Sequence, residues 1–254
     1  MEAYILEACV DSVESALAAA RGGATRLELC ANLVIGGTTP PLSLFDGVRE
    51  AVDLPVNVLV RPRFGDFLYT DAEYAMMCRD IETFAARGAN GAVIGALCPD
   101  GALDRKKMAG MIRAAAGVRV TLHRAFDVCR DPERTLEEAL SLGVDAILTS
   151  GQRASAWAGR GQIGALLEQA AGRADVLIGG GVDAQVIRDF RREFPTARAF
   201  HLSGKTVLDS GMTYRNPEVS MGLPGISEFQ VWRTGEEKIR RAAEALREVS
   251  YDEK

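Results

Sequence analysis

Gly22-Gly23-Ala24-Thr25-Arg26-Leu27-Glu28-Leu29-Cys30 decides how this chain is read. The two glycines end a helical run, because glycine takes the left-handed conformation that closes a helix at little cost. After them, Leu27 and Leu29 alternate with Arg26, Glu28 and Cys30. A period of two marks a strand with one apolar face. The same switch recurs at Gly88-Ala89-Asn90 and Gly143-Val144-Asp145, 65 and then 55 residues further on. Each interval has room for about two strand–helix units of roughly 30 residues.

Working outward, Tyr4–Val10 reads as a strand and Ser12–Arg21 as an Ala-rich helix, with Asp11 as N-cap and Glu14 as its capping-box partner. Further strands are expected at Ala24–Cys30, Pro55–Arg63, Asn90–Leu97, Arg119–Asp127, Asp145–Gly151, Ala174–Val182 and Ala199–Lys205. Helices are expected at Ser43–Ala51, at Asp71–Arg87 under an Asp71 cap, at Arg105–Ala115, from Pro132 to Leu142, and at Gly161–Ala171, Asp183–Glu193 and Gly235–Val249. Strict alternation implies a parallel sheet. Eight units in about 250 residues fit a closed (β/α)8 TIM barrel of the α/β class. A doubly wound sheet would prefer a glycine-rich turn after its first strand, and Cys9-Val10-Asp11-Ser12 is not one. Residues 1–254 are read as one domain, with 206–233 a long aperiodic loop after strand eight.

Composition narrows the function classes. A net charge of −5 without a Lys/Arg block argues against a nucleic-acid partner. No run of 18 apolar residues suggests a membrane span, and the start Met1-Glu2-Ala3-Tyr4 lacks a basic leader. Five cysteines, an odd number with no C-x-x-C, fit reduced thiols in the cytoplasm.

Strand parity separates two faces. With Leu6, Ala8, Val10, Leu27, Leu29, Val56, Val58, Val60, Val120, Leu122, Phe200 and Leu202 against the helices, the intervening residues face the lumen. That set holds Glu7, Cys9, Arg26, Glu28, Cys30, Asn57, Arg61, Arg63, His123, His201, Ser203 and Lys205. An ordinary barrel interior is filled with branched apolar side chains. Buried charges are costly unless paired, so this lumen reads either as a structural ion-pair layer or as a site. Cys9 and Cys30 read equally as small packing residues. Strand fourth, sixth and seventh in the series are too uniform to phase.

The C-terminal ends of barrel strands build the site in this fold. Glu7 or Glu28 would serve as acid or base with His123 as partner, and His201 lies deeper beside them. Arg61 and Arg124 would hold an anionic group, and Asp127 would orient His123 or Arg124. Gly180, Gly181, Ser203 and Gly204, at the ends of strands seven and eight, would receive a phosphate through backbone N–H groups, or simply form tight turns. The substrate would be a small phosphorylated or carboxylated metabolite.

Leu6-Glu7-Ala8-Cys9, Arg26-Leu27-Glu28-Leu29-Cys30-Ala31, Gly36-Gly37-Thr38-Thr39-Pro40 and Val60-Arg61-Pro62-Arg63 resemble the CutC family. So do Gly65-Asp66-Phe67, Thr121-Leu122-His123-Arg124-Ala125-Phe126-Asp127, Ile147-Leu148-Thr149-Ser150-Gly151-Gln152 and Tyr214-Arg215-Asn216. The match runs in order over nearly the whole chain. The resemblance implies a cytosolic (β/α)8 barrel, commonly a homodimer, associated with copper homeostasis. Cys9 and Cys30, at matching inward positions on adjacent strands, would then offer two thiolates to copper, since monovalent copper prefers soft sulfur ligands. Ile35, Phe64 and Cys98 depart from the family pattern in or near the mouth loops.

Overall fold

A computed structural model describes residues 4–249 except 217, 220 and 224. Eight parallel strands close into a barrel, each joined to its neighbour in chain order, with the eighth pairing back onto the first. The strands are β1 (Ile5–Val10), β2 (Arg26–Leu29), β3 (Val56–Leu59), β4 (Gly91–Ile94), β5 (Arg119–Leu122), β6 (Ala146–Thr149), β7 (Asp175–Ile178) and β8 (Ala199–Leu202). Around them lie α1 (Val13–Gly22), α2 (Leu42–Ala51), α3 (Asp71–Ala86), α4 (Arg105–Ala114), α5 (Pro132–Ser141), α6 (Arg160–Ala170), α7 (Ala184–Glu193) and α8 (Glu236–Val249). No described helix is long and apolar enough to cross a membrane.

Local chemistry sets the helix ends. Ser12, not Asp11, caps α1 by accepting the Ser15 N–H, so the expected Asp11/Glu14 box does not form. Asp11 instead accepts from the Leu33 N–H across the mouth. Thr70, one residue before the expected Asp71, caps α3, and Glu73 completes a capping box. Asp131 with Pro132 opens α5 as expected.

The sheet buries two distinct sets of side chains. Outward residues such as Leu6, Leu27, Val58, Ile94, Leu122, Ile147 and Phe200 join the helices in one large core. Inward ones form two small clusters, Cys9, Cys30, Leu59 and Val93 on one side, and Leu148, Leu177 and Ala199 with Ile5 on the other. These clusters phase β4, β6 and β7, whose composition alone left them unassigned. The lumen is therefore not polar throughout. Its ionisable groups are concentrated on the arc β8–β1–β2–β3 and at the end of β5.

Two stretches differ from the sequence reading. Residues 124–128 form a 3-10 turn rather than the end of β5. The segment read as a plain loop over 206–233 carries strands at both ends. β9 (Lys205–Asp209) pairs antiparallel with β10 (Gln230–Thr234), so Lys205 leaves the barrel and its ammonium lies 3.6 Å over the Trp232 ring. The alternation in this ribbon is half-exposed, which is why no apolar period marks it.

Candidate functional site

Glu7, Arg26 and His201 meet inside the barrel, on the face that strand parity assigns to the lumen. Along the strands Glu7 is level with Arg26 on one side and with His201 on the other, and Cys9 is level with Glu28. The deepest layer centres on Glu7, which is fully buried. It accepts from Arg26 Nε at 2.5 Å, from Asn57 Nδ2 at 3.3 Å and from His201 Nδ1 at 2.8 Å. Burial pushes the Glu7 carboxyl up, but the His201 hydrogen bond and the Arg26 charge outweigh it, and the group lies below its ordinary range. Burial works against a charged His201, yet the Glu28 and Glu7 carboxylates raise it above the ordinary imidazole value.

One step nearer the mouth, the Cys9 thiol donates to Glu28 Oε1 at 3.3 Å. Its sulfur is 3.7 Å from that of Cys30. Glu28 Oε2 has no partner among the described residues. Burial, with the Glu7 charge added, raises the Glu28 carboxyl despite the opposing pull of His201. The Cys30 contact first, then burial and the Glu28 charge, push the Cys9 thiol well up. Cys30 itself packs behind the wall against Leu59 and Gly37 and does not line the cavity.

Above this layer opens a cavity of about 500 Å3. Cys9, Glu28 and His201 form one wall, and Arg61, Phe67 and His123 form another. Arg61 is held by carbonyls, donating through Nη1 to Gly36 and Gly37 and through Nη2 to Gly65. His123 accepts the Ala125 N–H at its Nδ1, so the neutral ring carries its proton on Nε2. Burial first and the Arg61 charge second lower the His123 pKa to about 3. The residue expected as an acid/base partner is thus a neutral donor at physiological pH. Gly95 makes the fold around it possible, since a Cβ there would lie 2.6 Å from the imidazole Cε1.

The third wall ends β6, β7 and β8. Arg124 donates from Nε to Asp127 at 2.7 Å and from Nη2 to Ser150 Oγ at 2.7 Å. Asp127 also accepts from the Thr149 hydroxyl and from the Ser150 and Gln152 N–H groups. It therefore orients Arg124, not His123, and ties the 3-10 turn to the end of β6. Gly180 and Gly181, both with positive φ, line the cavity beside Arg124, as does Ser203. Gly204 does not. A Cβ there would meet Ile239 and Thr234, so it faces α8 and β10. Arg63 also turns away, pairing with Glu73 and Asp66 on the rim. Phe67, from the loop before α3, and Leu33, Ile35 and Gly36, after β2, are lining residues that strand parity missed because they lie outside the barrel strands.

Among the described residues, Cys9, Glu28 and His201 form the one group able to hold a metal ion, their ligand atoms all within 4.8 Å of one another. The Cys9 and Cys30 sulfurs expected as a thiolate pair lie 3.7 Å apart, with Cys30 behind Cys9, and Glu28 and His201 join Cys9 in the group of ligand atoms.

The model of the CutC family matches residues 4–206, ending short of β10 and α8. The human copper homeostasis protein cutC homolog is 43% identical over 238 residues, 93% of this chain and 87% of the human one. A CutC family protein from Bacteroides fragilis (strain YCH46) is 42% identical over 97% of this chain and 98% of its own. Among solved structures, a CutC chain from Streptococcus agalactiae superposes with a TM-score of 0.74 at 27% identity, covering 79% of this chain and 98% of that one. A thiamine phosphate pyrophosphorylase from Pyrococcus furiosus shares the fold alone, with a TM-score of 0.57 at 14% identity. With the closed barrel, the ordered motifs and these matches in hand, the chain belongs to the CutC family.

Proposed function

We propose that the chain takes part in copper homeostasis by binding monovalent copper in the barrel lumen. The observation that carries this is the convergence of Cys9, Glu28 and His201 within 4.8 Å. Sulfur and imidazole are donors that copper selects, and Glu28 Oε2, which has no partner among the described residues, offers an oxygen donor beside them. The Cys30 sulfur, 3.7 Å behind Cys9, is a second soft donor in reserve. Because the Cys9 thiol is held protonated, metal uptake displaces its proton. Five free cysteines support a reducing compartment such as the cytosol. Competition with a colorimetric Cu(I) chelator tests the site. Cys9→Ser is expected to weaken Cu(I) binding roughly 100-fold or more, since even groups behind the ligands are worth 10–100-fold, while Cys78→Ser in α3 leaves it unchanged. Equal affinities for wild type and Cys9→Ser would remove the reading.

The size of the cavity favours a second reading. About 500 Å3 is far more than one ion needs, since a water takes about 30 Å3. Glu28, raised above the ordinary carboxylate range by burial, is suited to act as an acid or base, and Arg124 with Gly180 and Gly181 is suited to an anionic end. In this reading the chain performs acid/base chemistry on a small anionic metabolite. A panel of sugar phosphates and short carboxylic acids incubated in D2O, read by mass spectrometry, would show deuterium incorporation that Glu28→Gln abolishes. No incorporation from any of them, or incorporation unaffected by Glu28→Gln, argues against it.

A further inference from the structure

Arg124, just past the end of β5, has 45% of its side chain exposed, yet it is not free to move. Its Nε donates to Asp127 and its Nη2 to Ser150 Oγ, both at 2.7 Å. The Asp127 side chain is only 7% exposed, and its oxygens are also taken by Thr149, Ser150 and Gln152. Holding an exposed arginine contributes little stability, so a buried scaffold that fixes one aims a functional group. A guanidinium is a planar fork of five donors. With Nε and Nη2 turned to Asp127 and Ser150, both Nη1 hydrogens and the second Nη2 hydrogen remain for the cavity that Arg124 lines.

Beside that fork lies bare backbone. Gly180 and Gly181, after β7, have φ +97 and +73, a region that glycine enters without strain. A Cβ at Gly180 would lie 2.9 Å from Ser150 Cβ and 3.7 Å from Arg124 Nη2, so the missing side chain is what lets backbone and guanidinium approach. The loop is anchored, because the Gly180 carbonyl accepts from the Ala156 N–H at 2.8 Å. Gly180 is half-buried and Gly181 exposed, both line the cavity, and their N–H groups donate to no described residue. Successive backbone N–H groups in a turn form a concavity for anions. Ser203, after β8, brings a hydroxyl to the same cavity, its carbonyl being occupied by Thr234. A two-hydrogen fork edge, two amides and a hydroxyl exceed the roughly four in-plane sites of a carboxylate. They suit the three oxygens of a phosphate, which arginine also binds in bidentate fashion. At Gly179 a Cβ would lie 3.5 Å from His201 Cβ, so the glycine run leads from Arg124 to the wall of Cys9, Glu28 and His201.

We propose that the ends of β5, β7 and β8 form a phosphate subsite, and that the lumen takes a small phosphate monoester. Its phosphate is held by Arg124, Gly180, Gly181 and Ser203, and its carbon part lies toward Glu28. This rests on the second reading above, in which an anionic metabolite enters the cavity, and it names that metabolite's class.

Inorganic phosphate and glycerol 3-phosphate are suitable probes, titrated into the full chain and followed by backbone 1H–15N spectra. Each is expected to shift the amides of Gly180 and Gly181 in a saturable way and to leave that of Gly143, after α5, in place. Arg124→Gln is expected to weaken binding of both roughly tenfold or more, as loss of a charge-assisted hydrogen bond does, and Ser203→Ala about two- to tenfold, as loss of a neutral one does. Arg134→Gln, on the outer surface of α5, is expected to leave affinity unchanged. The amide shifts are read in the wild type, which covers the case in which a variant fails to fold. No shift at Gly180 and Gly181, or unchanged affinity in folded Arg124→Gln, would overturn the proposal. So would binding of inorganic phosphate with exclusion of glycerol 3-phosphate, or tighter binding of oxalate than of glycerol 3-phosphate. Binding requires no turnover, so a failed deuterium assay with these shifts intact would count against the acid/base chemistry and not against the subsite.

Discussion

The lumen holds two polar layers that differ in one respect. Around Glu7, every charge meets an opposite one: Arg26 and His201 flank the carboxylate from neighbouring strands. Single atoms there, Arg26 Nη2 and Asn57 Oδ1, still lack partners. Nearer the mouth, Arg61 has no described counter-charge, and Glu28 Oε2 and His123 Nε2 stand alone. Ion pairing offsets the cost of burying the deep charges, and the Arg61 charge nearer the mouth lacks that offset. The difference separates a layer whose charges are balanced within the barrel from one in which the Arg61 charge is met only by backbone carbonyls.

The sharpest way to break that contrast is to unpair the deep layer. Glu7→Gln removes the charge that Arg26 and His201 share while leaving them buried. Loss of one member of a buried pair costs about 3–5 kcal/mol, and urea unfolding should show a loss of that order. A loss near zero would mean that the deep layer is as dispensable as a surface pair, and the contrast would fail.

The second test uses pH. His123 is neutral in the fold, with a pKa of about 3 against the ordinary 6.5. Its depressed value means that the unfolded chain takes up a proton below pH 6.5 while the native protein does not until about 3. The stability it contributes is present above 6.5 and lost as pH falls toward 3. Between pH 8 and pH 5 the wild type should lose about 2 kcal/mol, at 1.36 kcal/mol per pH unit, that His123→Leu does not lose. Parallel pH curves for the two would show that His123 is not held neutral.

The third test compares glycines in the same backbone region. Gly180 has φ +97 and a Cβ there would lie 2.9 Å from Ser150 Cβ, whereas Gly143 has φ +84 and open space around it. Gly143→Ala should cost about 1 kcal/mol for the left-handed backbone alone. Gly180→Ala should cost about 2–3 kcal/mol, the close approach added. Thermal unfolding of both checks this.

Much of this was legible in the sequence, for a physical reason. A strand exposed to helices on one side must be apolar there, so Leu6, Leu27 and Val58 betrayed Glu7, Glu28 and Asn57 on the other. Parity says nothing once a strand ends, and the errors fall there. Lys205 and Gly204 follow β8 but turn outward to Trp232 and α8, and Arg63 beyond β3 joins Glu73 on the rim. Phe67 comes from a loop with no period to read. Parity also cannot report charge state. His123 was placed correctly in the lumen, but its neutrality depends on Ala125 N–H, Gly95 and Arg61 meeting it from three separate elements. The cap of α1 shifted by one residue because Ser12 and Asp11 are both competent caps, and tertiary contact with Leu33 claims Asp11.

The smallest expected effect comes from an ion pair with the same side-chain types as the deepest one. Arg134 and Glu138, one turn apart on α5, are 3.0 Å apart with Arg134 63% exposed. Arg26 and Glu7 are joined by a similar contact, at 9% and 0% exposure. Coulomb attraction in water is screened, and fixing two long side chains costs entropy, so exposed pairs contribute little. Arg134→Gln should therefore leave the urea midpoint unchanged within error, at low and at high salt. A shift comparable to that of Glu7→Gln would mean that burial is not what distinguishes the two pairs. The interior would then be no costlier for charge than the surface, and the lone Arg61 charge in the lumen would carry no more meaning than an exposed one.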